Sequence, residues 1–197
     1  MNEFDVWKEM DNIINFIKDN FSSISEEEVI ELYRIYLYLE SRISTNSPSF
    51  KGDKDKYRCG NCYCYALGFT TPDVFSDVYG RFKKKMMTHN IGFISGNTID
   101  VSDPDDLMYG FEIDMGYLRI KCFDSEVDKP NQHNGYMVSL YRGFKDFHFT
   151  RQNSDGSWSH KLGYTSTIEK VEMPQERVLG RYDYVKTLEI AKPVIMK

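Results

Sequence analysis

Several things are missing or scarce in this 197-residue chain. Cysteine is scarce, with four residues in all. Three of them, Cys59, Cys62 and Cys64, fall within six positions rather than spreading as a disulfide frame, and a chain this long does not need one. Free thiols and a reducing compartment follow. No stretch approaches the ~20 apolar residues of a membrane span, so no membrane partner is expected. The start, MNEFDVWKEMDNI, has early acids and no apolar core segment, so no secretory signal is expected. The expected location is cytoplasmic, or one reached without a classical signal peptide. Charge is mixed and the net value is −5, which argues against nucleic acid as the main partner. The basic run Arg81-Phe82-Lys83-Lys84-Lys85 reads as a solvated helix end. Internal repeats and low-complexity tracts are absent.

What is present suffices for a core: 41% apolar and 15% aromatic residues. Phe4, Trp7, Met10, Ile14, Ile17 and Phe21 recur at threes and fours, marking one face of a helix over residues 2–21. Ser25 and Glu28 form a capping box before the almost uniformly apolar VIELYRIYLYLESRI, which predicts a sandwiched second helix. Residues 1–44 thus make a helical hairpin, and 45–56 a polar linker or loop. Residues 57–197 form the remaining unit. Asp103 as N-cap and Pro104 at the first turn open a helix through about Met115, stopped by Gly116. A strand over Tyr117–Phe123 then carries Cys122. Further strands are expected at Tyr136–Arg142, Phe147–Gln152, Ser157–Lys161 and Tyr182–Ile190, with a hairpin turn at Asn153-Ser154-Asp155-Gly156. Helices followed by an antiparallel sheet give an α+β class.

The cysteine cluster, RCGNCYCYALG, allows four chemistries. Cys59 and Cys62 have C-x2-C spacing for zinc, with Cys64 beside them, but no second ligand pair of comparable spacing follows. A redox pair would want a strand before Cys59, where the polar linker stands. Buried thiols also serve as small apolar residues, the reading for Cys59, Cys64 and Cys122. Finally, Asn61 reads as an N-cap and Gly68 as a stop. Cys62 then opens a helix, where the macrodipole and unpaired N–H groups favour a thiolate and can hold an oxyanion.

A cysteine nucleophile needs a base. His89 reads as a loop residue and His133 as a turn residue, both on the surface. His148 and His160 occupy the two arms of one hairpin, DFHFTRQNSDGSWSHKLG. With the turn centred on Ser154 they lie directly across from each other; a shift of one places them on opposite faces. Trp158 shares the face of His160, and Asp146 is a reserve for the third position.

NCYCYALG and DFHFTRQNSDGSWSHKLG together resemble the papain-like cysteine peptidase and amidase superfamily. The nearest resemblance is to NlpC-type Cys-His-His hydrolases, and more narrowly to an uncharacterised group of bacterial and viral proteins sharing N-C-x-x-Y-A-L and H-F-x-R…D-G…W-S-H-K blocks. The resemblance covers roughly residues 57–190. It implies a papain-like fold, with the Cys helix packed on an antiparallel sheet, and a catalytic triad of Cys62 as nucleophile, His148 as base and His160 as the group orienting the imidazole. It implies hydrolysis or acyl transfer at a peptide or isopeptide bond, with a peptide or protein substrate and no cofactor or metal. Asn61 departs from the Asp that precedes the cysteine in the cell-wall enzymes. The alternatives are an inactive papain-like binding module and a small zinc domain built on Cys59, Cys62 and Cys64.

Overall fold

A computed structural model describes residues 2–50, 57, 59–82, 90–128, 131–163, 167–174 and 176–193. Part of the 45–56 linker, Lys83–Lys85 of the basic run, His89 and the Lys129-Pro130 turn lie outside them. The chain is a helical layer packed on one antiparallel sheet, as the α+β reading expects. Among the described residues no helix is long and apolar enough to cross a membrane.

The two N-terminal helices are α1 (Glu3–Asp19) and α2 (Glu26–Ile43), and both open with capping boxes, Asn2 with Asp5 and Ser25 with Glu28. The α1 face differs from the expected one. Val6, Met10, Ile13 and Ile17 are buried, whereas Phe4 and Trp7 are 75% and 51% exposed. Both stripes have helical spacing and share Met10 and Ile17, and Ile14 and Phe21 of the expected face pack half-buried against the core; only the first two members fall outside it, where the aliphatic set fits against α2. α2 is sandwiched, with Tyr33, Tyr36, Leu37 and Leu39 buried. These side chains belong to the same apolar core as the sheet.

Two helices follow, α3 (Cys62–Leu67) and α4 (Asp73–Arg81), before α5 (Pro104–Leu118). The span of α4 was not expected from the sequence, although the basic run starting at Arg81 marks its end. α5 runs through Gly116 and ends where Arg119 turns left-handed at φ 55°. A single interior glycine costs only about 1 kcal/mol, which the buried Leu107, Phe111, Met115 and Leu118 outweigh. The strand after it therefore starts later, as β1 (Lys121–Ser125), still holding Cys122.

The remaining strands are β2 (Tyr136–Arg142), β3 (Phe147–Gln152), β4 (Trp158–Lys161), β5 (Ile168–Val171), β6 (Arg177–Val178) and β7 (Tyr182–Ala191). Their order is β1-β7-β2-β3-β4-β5, with β6 alongside β7. Alternation sorts the two faces. Val138, Leu140, Phe147, Phe149, Leu188 and Ile190 turn toward the helices. Ser139, Tyr141, His148, Thr150 and His160 turn the other way.

Candidate active site

α3 has only six residues, too short to persist alone. Asn61 Oδ1 accepts from the N–H groups of Tyr63 and Cys64 at 3.0 and 3.1 Å. Gly68 adopts φ 69°, and the bonds Gly68 N–H to Tyr65 O and Phe69 N–H to Cys64 O close a Schellman end. Gly60 is required by proximity, because a Cβ there would lie 2.8 Å from that of Cys64. Three side chains then take successive terminal carbonyls. Arg151 Nη1 donates to Tyr65 O at 2.7 Å, Tyr136 Oη to Ala66 O at 2.8 Å, and Lys192 Nζ to Leu67 O. Arg151 also stacks its guanidinium 3.8 Å over the Tyr65 ring. The Arg151 guanidinium, joined by Lys192 when protonated, thus meets the negative end of the helix dipole.

The three clustered sulfurs go to different partners. Cys59 Sγ donates to Asp73 Oδ1 at 3.3 Å, and Cys62 Sγ faces the Phe147 carbonyl at 4.0 Å. Cys64 is enclosed near Tyr33. Among the described residues no set of three His, Cys, Asp or Glu side chains is arranged to hold a metal ion.

Cys62 lines a cavity of about 510 Å³ with His148, Asn61, Asn90, Phe147 and Tyr182. The cavity forms where β3 and β4 part: they pair at Arg151↔Ser159 and Gln152↔Trp158, and beyond that point Leu162 and Gly163 line its far wall. The turn is centred on Asp155 rather than Ser154, which moves the pairing by two residues and so preserves the face. Asn153 N–H bonds Ser157 O at 2.7 Å, and the Asn153 side chain bonds the same carbonyl. His160 therefore lies diagonal to His148 instead of directly across, but on the same face. The rings meet edge to face, with His148 Nε2 2.8 Å from His160 Nδ1. His148 is also stacked on Tyr182, whose hydroxyl donates to Asp146 Oδ2 at 2.6 Å. Asp146 thus holds Tyr182 rather than standing third in line to the imidazole. Trp158 is buried but does not line the cavity. His133 is exposed and stacked on Phe123.

The histidine pair is brought together; Cys62 and His148 are not hydrogen-bonded. α3 packs on the face bearing Phe149, with the Tyr63 ring stacked at 5.0 Å, whereas His148 leaves the opposite face. The two meet only in the shared cavity, at the open end of the ladder. The expected thiolate also does not form at rest. Burial pushes the Cys62 thiol up to about 12, against the smaller opposing pull of backbone N–H groups from Phe149 and Tyr63 and of the Lys161 charge. Burial, with repulsion from His160 and Arg181, takes His148 down to about 3. Both groups are neutral at pH 7.

Lys161 and Tyr182 were not singled out from sequence. Lys161 is fully buried, donates to Gly163 O at 2.9 Å, and is held down to about 8 by desolvation, with the three clustered thiols pulling the other way. Alternation along β4 was the available signal, since it puts Lys161 on the helix side with Ser159. Asp114 of α5 fixes the loop that carries Asn90, accepting from Gly92 N–H, Ser95 N–H, Ser95 Oγ and Tyr63 Oη. No protein-family model, curated protein or solved structure matches the chain.

Proposed function

We propose that the protein is a cysteine-nucleophile hydrolase or acyl transferase of papain-like type, acting on a peptide or isopeptide carbonyl through Cys62, His148 and His160. The observation that carries this reading is the single cavity lined by Cys62 and His148, with His148 backed by His160 at 2.8 Å. A thiol and an imidazole that are both neutral suit a general-base step. A carbonyl seated in the cavity brings the two together. The sulfur lone pair attacks the carbonyl carbon as the thiol proton passes to His148. The oxyanion lies at the start of α3, beside the Cys62 N–H and within the field of the Lys161 ammonium. His148 then returns its proton to the departing amine, leaving a thioester. Water as acceptor completes hydrolysis, and an amine acceptor completes transfer. The cavity walls combine apolar surface from Phe147, Leu179 and Tyr182 with polar groups from Asn90, Asp146 and Arg181, which suits a peptide segment.

A second reading, a binding module with the same architecture, is favoured by the enclosure of Cys62, 4% exposed with its thiol turned to a backbone carbonyl. Peptidyl acyloxymethyl ketones of varied sequence separate the two, with adducts mapped by mass spectrometry. The expected result is one adduct, at Cys62, lost in Cys62→Ala and slowed at least ~100-fold in His148→Ala. Absence of adducts on folded protein, or labelling indifferent to His148→Ala, establishes the binding module.

A further inference from the structure

We propose that Glu169 sets the tautomer of the histidine pair from behind His160, making it a positioning residue for His148. This rests on the acyl-transfer reading for its consequence, though not for its geometry.

His148 and His160 are both held below the ordinary histidine range by burial, so each ring carries one proton at neutral pH. A neutral imidazole donates at one nitrogen and accepts at the other. The 2.8 Å contact between His148 Nε2 and His160 Nδ1 therefore has two forms. In the first, His148 Nε2–H donates, its Nδ1 is a bare base, and His160 carries its proton on Nε2. In the second, His160 Nδ1–H donates, His148 holds its proton on Nδ1, and no base remains for a thiol. The choice is made at the far end, at His160 Nε2.

That atom is fully buried and has no hydrogen-bond partner among the described residues. A carboxylate faces it, with Glu169 Oε2 at 3.9 Å. The pairing is built into the fold, because β4 and β5 place His160 and Glu169 directly across from each other and on one face. A carboxylate only accepts, so it favours the Nε2–H form and with it the basic Nδ1 of His148. The Glu169 side chain is half-exposed and borders a cavity of about 260 Å³, so a change of rotamer can close the gap to His160. The other charged groups on that cavity do not compete as donors. Glu172 is itself an acceptor, and the Arg177 guanidinium is engaged by Asp183 at 2.7 Å.

The test is a long-range ¹H–¹⁵N correlation of ¹⁵N-histidine-labelled full chain at pH 7.5, which reads the protonated nitrogen of each ring. The wild type is expected to show Nε2–H on both His148 and His160. Glu169→Gln, which keeps an acceptor oxygen, retains that pattern. Glu169→Ala mixes the two forms, and Glu169→Lys, which presents a donor, favours Nδ1–H. Ketone labelling at Cys62 slows about tenfold or more in Glu169→Lys and is restored in Glu169→Gln. Nδ1–H in the wild type, or a pattern unmoved by both Ala and Lys, overturns the assignment. A tautomer that follows Glu169 in a protein whose Cys62 never labels upholds the assignment and refutes acyl transfer instead.

Discussion

Two effects act in opposite directions on Cys62, and their sizes decide its reactivity. The start of a helix favours a thiolate by about 0.3–1 kcal/mol, and up to ~2 kcal/mol where partly buried, or at most roughly 1.5 pH units. Desolvation is larger and leaves the thiol near 12. Proton transfer to His148, held near 3, must cross a gap of about nine pH units. Contact attraction between a thiolate and an imidazolium is about 4 kcal/mol at an effective dielectric of 20, or roughly three units, which does not close it. The resting thiol therefore stays protonated. At pH 7 a thiol near 12 is ~10⁻⁵ ionised, against ~3 × 10⁻² for an ordinary thiol near 8.5. Iodoacetamide, which binds no subsite, should label Cys62 roughly 10³-fold more slowly than a free thiol does. The rate should climb about tenfold per pH unit from 5 to 10 without a plateau, as the ionised fraction does. His148→Ala should change it by less than ~2-fold, because the imidazole is not protonated in this range. Site-resolved mass spectrometry across that pH series measures all three. A plateau between pH 5 and 8 that collapses in His148→Ala would reveal a preformed ion pair and refute the argument from burial.

Two further outcomes follow from the groups that hold α3. Asn61→Ala removes the acceptor of two buried amides and should cost about 2–3 kcal/mol in urea unfolding, whereas Asn61→Asp keeps the cap and should cost far less; a loss below ~0.5 kcal/mol for Ala would refute the clamp. Lys192 is depressed by burial to about 7 from its ordinary 10.5, so the unfolded chain binds more protons between those values and this contribution to stability rises with pH across pH 7–10.5. Lys192→Met should flatten that rise by about 3–5 kcal/mol, and denaturation curves with parallel pH dependence for both proteins would contradict it.

Local signals carried the parts of the fold that depend on neighbours in sequence. Ser25 with Glu28, Asp103 with Pro104, and Asn61 with Gly68 each name a helix end through bonds spanning a few residues. The α1 face was legible from Met10 onward but not at its start, because Phe4 and Trp7 are the larger side chains of two overlapping stripes, and only the partner α2 selects between them. The histidine pair was half legible. Alternation put both rings on one face, but the register depends on Asn153 closing a five-residue turn through its own side chain, a tertiary choice. Tyr182 and Glu169 had no local mark at all, and Lys161 had only the alternation along β4. They reach the site or its backing through sheet pairing across β4, β7 and β5, and the thiol's high pKa follows from enclosure that no short stretch encodes.

The same contrast explains why so short a helix can position Cys62. α3 does not hold its own shape; its N-terminus is fixed by Asn61 and its last carbonyls by Tyr136 from β2, Arg151 from β3 and Lys192 after β7. The segment leaving it is fixed in turn by α2, through Tyr33 Oη on Thr71 Oγ1 at 2.8 Å and Glu40 Oε1 accepting from both Thr70 N–H and its hydroxyl. Contacts spanning 70 to 125 residues of sequence therefore converge on six residues. The place of Cys62 is a property of the assembled sheet and helical layer together, and it forms only when both have formed. A buried thiol held this rigidly has little freedom to meet His148 by its own motion. Under the proposed acyl transfer the contact has to come from the β3–β4 opening, where the ladder ends and the cavity begins, so a ligand entering that opening would join the two faces of the sheet.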